Sequence, residues 1–303
     1  MTTDQASAAL FAAEAVPGLS TTSGRILGRG LWGPTLDLGD GTVMKLVRGR
    51  AGIGDGLEIC ANEAHVLAAL DGCRIDGFAI PRLVAHGRFG TGTDAVAAGF
   101  VAWLRMTRLP GVPFNEHKLS ALSDGGRRDF AGSFGRAIAA LHAGGASLLS
   151  RHALDDRCES LLLGLWHVSR TDRELCDRLL AEVRAMPTAR RTAFVHGDMH
   201  LGNLLVDENG RVCGVIDFAE AGRGFPETDL AYLQGLPTIE RDAFRAYQSA
   251  ASQPLDEAAY HLAGAIYALT GAVIGELHGE RPAARQDRIL MLRCLNALTL
   301  SRR

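Results

Sequence analysis

In one stretch of this chain, residues 194–230, FVHGDMHLGNLLVDENGRVCGVIDFAEAGRGFPETDL, the spacing of two carboxylates, two imidazoles and a carboxamide could do chemistry. His196, Asp198, His200 and Asn203 fall in a tight polar loop after a short β-branched and aromatic run at 193–195. Asp217 closes a further apolar run, 212–216, and is followed by Phe218. Between them, 204–206 reads as a strand, and Asp207, Glu208, Asn209 and Gly210 supply the turn of a hairpin. The expected unit is a strand, a loop and a hairpin that present two acids and an amide at the ends of rigid strands. Phosphoryl transfer needs such a set: a carboxylate beside the attacking hydroxyl, and oxygen ligands for magnesium on the nucleotide phosphates.

The spacing H-x-D-x-x-x-x-N, from His196 through Asp198 to Asn203, followed by Ile216-Asp217-Phe218, is the protein-kinase arrangement of those parts, with Gly197 in place of arginine. HGDMHLGN together with IDF resembles the aminoglycoside phosphotransferase and choline kinase-like family of small-molecule kinases. That resemblance implies that Asp198 is the catalytic base, that Asn203 and Asp217 hold Mg2+, and that His196 orients the loop. Two plainer readings compete. His196, Asp198 and His200 alternate and could ligate a transition metal on one strand face, but the same positions fit the better-specified pattern. A hairpin whose Asp and Asn merely shape turns explains each residue singly, not their joint spacing.

The elements that must position these residues are those of an ordinary globular chain. Of 303 residues, 47% are hydrophobic and 22% charged, enough for a full core and against long disorder. A formal net charge of -2 gives no electrostatic case for nucleic acid or an anionic membrane. Six scattered cysteines without a CxxC pair read as reduced thiols of a cytoplasmic protein. No secretory signal opens the sequence, and the most apolar stretch, 262–275, is short for a membrane span and reads as a buried helix.

A short amphipathic helix is expected over 6–16, before Pro17-Gly18. Gly28-x-Gly30-x-x-Gly33 comes next. Pro34 and the alternating run LDLGDGTVMKLV, turning at 39–42, make this a glycine-rich β-hairpin and not a dinucleotide-binding turn opening a helix. A glycine-rich hairpin followed by a strand bearing Lys45 is the kinase way of covering ATP phosphates. Lys45 stands among apolar neighbours, so it is either an edge-strand lysine in solvent or a cation aimed at phosphate. The second reading requires an acid on a following helix. Residues 57–70 have helical periodicity and offer Glu63, with Glu58 as a rival. Glu63 is preferred because NEAHVLAAL resembles the family's helix.

Strands are expected at 83–89 and 98–106. In the family resembled, the second leads to a hinge whose backbone binds adenine, which places Thr107 and Leu109 against the nucleotide and a domain boundary at Pro110-Gly111. Helices are expected at 127–142, 154–168 and 173–186 and, after the catalytic hairpin, at 227–235, 239–251, 256–277 and 284–300. Asp229 is expected to start or buttress a helix beside the site, with no chemical role. The resemblance therefore implies an α+β, two-lobed, protein-kinase-like fold, with a small β-rich N-terminal nucleotide-binding lobe (1–109) and a larger, mainly helical C-terminal lobe (110–303).

The implied activity is ATP- and Mg2+-dependent transfer of the γ-phosphate to a hydroxyl of a small molecule. A protein substrate is disfavoured: Asp217-Phe218-Ala219 lacks the glycine of D-F-G, and a helix signal resumes too soon for a long activation segment. A non-catalytic nucleotide binder would be expected to lose Lys45, Asp198 or Asp217, and all are present. An aminoglycoside or related antibiotic is the expected acceptor, with a metabolite alcohol such as choline, homoserine or a sugar as the alternative.

Overall fold

In this computed structural model the described residues are 5–16, 24–51, 54–71, 75, 77–149, 154 and 156–301. The chain divides into two compact units, Met1–Asp71 with Pro81–Leu109, and Gly72–Ile80 with Pro110–Arg303. The first unit is thus discontinuous, whereas the sequence reading treats 1–109 as one run. Ala79 explains the exchange, because its N–H donates to the Cys213 carbonyl and its own carbonyl accepts from Val215.

The first unit is a five-stranded antiparallel sheet in the order β1-β2-β3-β7-β6, with β1 Arg25–Gly30, β2 Gly33–Asp37, β3 Thr42–Arg48, β6 Leu83–Arg88 and β7 Phe100–Thr107. A two-residue ribbon, β4 Arg50–Ala51 and β5 Gly54–Asp55, links β3 to the helix α2, Gly56–Leu70. Two further helices, α1 Gln5–Ala15 and α3 Asp94–Ala97, complete it. Strand period decides which side chain goes where. Leu36, Met44 and Leu46 join Phe11 of α1 and Phe100 in one buried cluster. The intervening residues of β3, Val43, Lys45 and Val47, are buried as well. Asp55 caps α2 by accepting the Leu57 N–H at 2.8 Å.

The second unit begins with β8 Val112–Pro113, α4 Glu116–Ala121 and the long helix α5 Asp124–Leu149. The expected stripe Phe130, Phe134, Ile138 and Leu141 is fully buried on α5. Helices α6 Arg157–Val168 and α7 Arg173–Ala185 follow, then β9 Ala193–Val195, β10 Leu204–Val206, β11 Val212–Val215 and β12 Gly222–Gly224. Helices α8 Glu240–Ala250, α9 Glu257–Leu277 and α10 Arg281–Leu300 close the chain. α9 is long and apolar enough to cross a membrane by composition, yet 67% of its most apolar window is buried inside the protein.

Three features of the second unit matter for the site. β9 does not pair with β10; it pairs antiparallel with β12, Val195 opposite Gly222, while β10 lies between β11 and β8. Residues 226–235 form a 3-10 segment, Pro226–Gly235, and not an α-helix, with i to i+3 bonds such as Leu236 N–H to Leu233. Asp229 lies inside that segment and does not start it. Close packing holds β9 in place: a Cβ at Gly145 of α5 would come within 2.3 Å of the fully buried Phe194 ring. Only a glycine lets the strand before the loop lie flat on the helix.

Candidate active site

In the first unit, Lys45 Nζ donates to Glu63 Oε2 at 2.9 Å, and both side chains are buried, 8% and 2% exposed. Of the two rival acids, the structure pairs Glu63 with the lysine. Glu63 lies in the middle of α2, whose cap fixes its start. The glycine-rich hairpin turns at Leu31-Trp32, between Gly30 and Gly33, and Arg48 N–H ties it down through the Trp32 carbonyl. Gly33 has φ 145°, and a Cβ there would strike the Leu46 carbonyl oxygen at 2.1 Å, so the fold demands glycine. Nothing crowds Gly28, and only the Gly33 carbonyl lies near Gly30, at 3.8 Å. Their missing side chains serve no packing need. At the end of β7, the Thr107 N–H donates to Arg82 and its hydroxyl accepts the Arg82 N–H, both at 2.9 Å. Leu109 keeps its backbone N–H without a partner among the described residues.

In the second unit the polar loop is strung between β9 and β10. Gly197 has φ 81°, and a Cβ there would lie 2.2 Å from the Glu220 carbonyl oxygen. His196 is fully buried. Its Nε2 meets the Ile216 carbonyl at 3.0 Å, so that nitrogen carries the hydrogen, and Nδ1 accepts the Asp198 N–H at 3.3 Å. Its ring rests 4.8 Å from Phe218. Both ring nitrogens are used and neither faces solvent. Among the described residues no three His, Cys, Asp or Glu converge on a metal position, which removes the transition-metal reading of His196, Asp198 and His200.

Asp198 sits at the loop's centre. Its carbonyl accepts from Asn203 Nδ2 at 2.9 Å and from the His200 N–H at 3.0 Å. Its Oδ2 accepts from Asn203 Nδ2 at 3.2 Å and faces His200 Nε2 at 3.5 Å. Nothing among the described residues donates to Oδ1, and 39% of the side chain is exposed. Burial pushes the carboxyl pKa up, but the His200 hydrogen bond and charge, with His196 and the Asn203 amide, hold it below the ordinary value. His200 responds in kind: burial pulls its pKa down, and the hydrogen bond and charge of Asp198, then Asp217, raise it overall. Gly202 N–H donates to His200 Nδ1 at 3.0 Å, which leaves Nε2 to point at Asp198.

Asn203 and Asp217 close the two ends of the β10–β11 pair. Leu204 lies opposite Val215, and Ile216 N–H reaches the Asn203 carbonyl at 3.0 Å. Asp217 takes φ 65°, ψ 69°, the one left-handed non-glycine backbone among the described residues. Aspartate tolerates that region at a cost of about 1 kcal/mol, and such strain collects where a side chain must be aimed.

A model of a phosphotransferase enzyme family matches residues 43–266. The chain belongs to that family. The viomycin phosphotransferase of Streptomyces vinaceus is 32% identical over 182 residues, 55% of this chain, and the match spans only 59% of that relative's length. Solved structures share the fold at low identity. The GDP complex of wild-type aminoglycoside 2'-phosphotransferase-IIIa superposes with TM-score 0.65 at 16% identity, covering 96% of this chain and 98% of that one. An aminoglycoside phosphotransferase in ternary complex with ADP and hygromycin B gives 0.63 at 15%, again over 96% and 98%. The macrolide 2'-phosphotransferase of Brachybacterium faecium gives 0.57 at 21%, over 94% and 97%. The fold is therefore the α+β protein-kinase-like one.

Within this family member, the donor set suits magnesium. The amide nitrogen of Asn203 is turned to the Asp198 carbonyl and Oδ2, so its Oδ1 is left as a lone-pair atom, and Asp217 adds a carboxylate. Two hard oxygens without nitrogen or sulfur match Mg2+, which takes one or two protein ligands and completes its shell with phosphate and water.

Sequence reasoning missed what holds the loop. Asp229, 1% exposed, accepts the His196 N–H at 2.7 Å and the Gly197 N–H at 2.8 Å. His142 of α5 donates to it from Nε2 at 3.0 Å and receives the Tyr247 hydroxyl of α8 on Nδ1 at 2.9 Å. One chain of hydrogen bonds thus runs from α8 through α5 to the backbone of the polar loop. The DL after PET marked Asp229, but no spacing connects it to His142 or Tyr247.

Proposed function

We propose that the chain transfers the γ-phosphoryl group of ATP to a hydroxyl of a small cationic molecule of the antibiotic class, in the cytoplasm. The supporting observation is the state of Asp198, with one oxygen pinned by Asn203 and facing His200 and the other open to solvent. An acceptor hydroxyl donating to Oδ1 is oriented without any rearrangement of the loop. As the acceptor oxygen bonds to the γ-phosphorus and the bond to the β-phosphate bridging oxygen breaks, the hydroxyl proton passes to Asp198. A carboxyl held below its ordinary pKa is a weak base, suited to take the proton late, when the oxygen has become acidic. Lys45, fixed by Glu63, directs its ammonium to the α- and β-phosphates, and the uncrowded Gly28 and Gly30 let backbone N–H groups approach them. Magnesium, held by Asn203 and Asp217, supplies charge neutralisation at the β- and γ-phosphate oxygens when bound. The names of the relatives favour an antibiotic acceptor.

An ADP-release assay with Mg-ATP tests this, with viomycin, hygromycin B, choline and homoserine as acceptors. Acceptor-dependent ADP release is expected with at least one antibiotic. Release with choline or homoserine alone would move the acceptor to metabolite alcohols, and binding of Mg-ATP without release for any acceptor would make the chain a nucleotide-binding pseudokinase.

A further inference from the structure

The ring of His200 is one of three beside Asp198. Its centroid lies 6.0 Å from that of Tyr232 in the 3-10 segment, and Tyr232 meets Tyr267 of α9 edge to face at 5.7 Å and 79°. Loop, 3-10 segment and helix each contribute one ring, so the three share a corner next to the catalytic carboxylate. The charge of Asp198 acts on both phenols. Both tyrosines are half-buried, so part of each ring remains open to a ligand.

Carboxylates stand at both ends of the corner. Glu116 of α4 is exposed and accepts the Tyr232 hydroxyl at 3.1 Å. Asp287 of α10 reaches α9 at Gly271, one turn beyond Tyr267, and a Cβ on Gly271 would lie 2.5 Å from Asp287 Oδ2. The fields of Asp287 and Glu116 both act on Tyr267. Among the described residues Asp287 has no hydrogen-bond or ion-pair partner, although it is half-buried, and that burial pushes its carboxyl pKa up. The buried carboxylate near α10, Asp172, has Arg288 for a partner. An acid left without a counter-charge costs folding energy and gives nothing back until a cation arrives.

We propose that Tyr232, Tyr267 and Asp287 form the acceptor-binding corner beside Asp198, and that it selects acceptors carrying a planar cation such as a guanidinium or amidinium. Only the word acceptor rests on the phosphotransferase reading. A flat cation can lie against a tyrosine face while its N–H groups fork onto the carboxylate. A compact ammonium is more strongly hydrated and lacks the fork.

Titration of the full chain with benzamidine, against its neutral counterpart benzamide, tests the corner by calorimetry. Benzamidine is expected to bind at least tenfold more tightly than benzamide. Asp287→Asn removes a charge the fold does not need, so the variant folds, and the preference should vanish. Tyr267→Phe, which keeps the ring, should bind within twofold of the parent, whereas Tyr267→Ala should lose at least tenfold. Equal binding of the two probes, or an unchanged preference in Asp287→Asn, overturns the proposal. The titration needs no turnover: benzamidine binding without ADP release for any acceptor would sink the transfer reading and leave the cation site standing, and the converse result would do the opposite.

Discussion

Lys45 and Asp198 carry opposite charges and live in opposite surroundings. The ammonium is 8% exposed and held by a carboxylate on the neighbouring helix. The carboxylate is 39% exposed, and what is held is the backbone that carries it. A sealed ion pair fixes a charge that only has to be present. A carboxylate with the proposed role of Asp198 must stay open, so its orientation is imposed from behind, through Asp229, His142 and Tyr247. The first unit guards its charge by burial and the second by anchoring its loop.

Breaking the buried pair should have the largest effect on stability. Lys45→Met strips Glu63 of its ion partner in a sealed site and should cost about 3–5 kcal/mol, read as a shift of the urea midpoint. Lys45→Met with Glu63→Leu should recover most of that loss; no recovery would mean that packing and not charge is at stake. Asp229→Asn comes next. It removes the charge behind three hydrogen bonds to Asp229, at about 1.5–3 kcal/mol, and lets the loop shift. Turnover should fall by about 100-fold with nucleotide affinity kept, since misplacement of about 1 Å can cost that much. An equal loss of both would make Asp229 a general stability residue. Tyr247→Phe removes only the outermost bond and should cost about 1 kcal/mol with a small loss of turnover.

A pair away from both centres gives the smallest effect and a control. Arg288 holds the Asp172 carboxyl below its ordinary pKa of 3.8, against the upward push of burial. The fold favours the charged form, so this stabilisation is complete above the unfolded value and disappears as pH falls through the lower folded one. The stability gap between the parent and Asp172→Asn should hold from pH 7 to roughly pH 4 and close below it. A gap that persists to pH 2 would contradict the pairing.

The same contrast decides what could be read from the sequence. Lys45 and Glu63 were legible because β3 and α2 are regular, periodic and close in the chain. His196, Asp198, Asn203 and Asp217 were legible because a loop and the hairpin that follows it carry them in one short stretch, so spacing records geometry. β8 and β12 are two and three residues long and contain Pro113, Gly222 and Gly224, so their strand character comes from partners and not from propensity. Tertiary packing likewise decides the 3-10 form of the segment after Pro226. His142 lies 87 residues from Asp229 and 105 from Tyr247, and no local pattern links a buried histidine to a loop that far away. The tyrosine corner was hidden for the same reason.

The central claim is that Asp198 acts on the acceptor and not on the nucleotide. It is tested by measuring single-turnover phosphoryl transfer and Mg-ATP affinity together in Asp198→Ala. Transfer should fall by about 100- to 10,000-fold while Mg-ATP affinity stays within a few-fold of the parent. Near-normal transfer, or loss of Mg-ATP binding in step with transfer, would contradict the account.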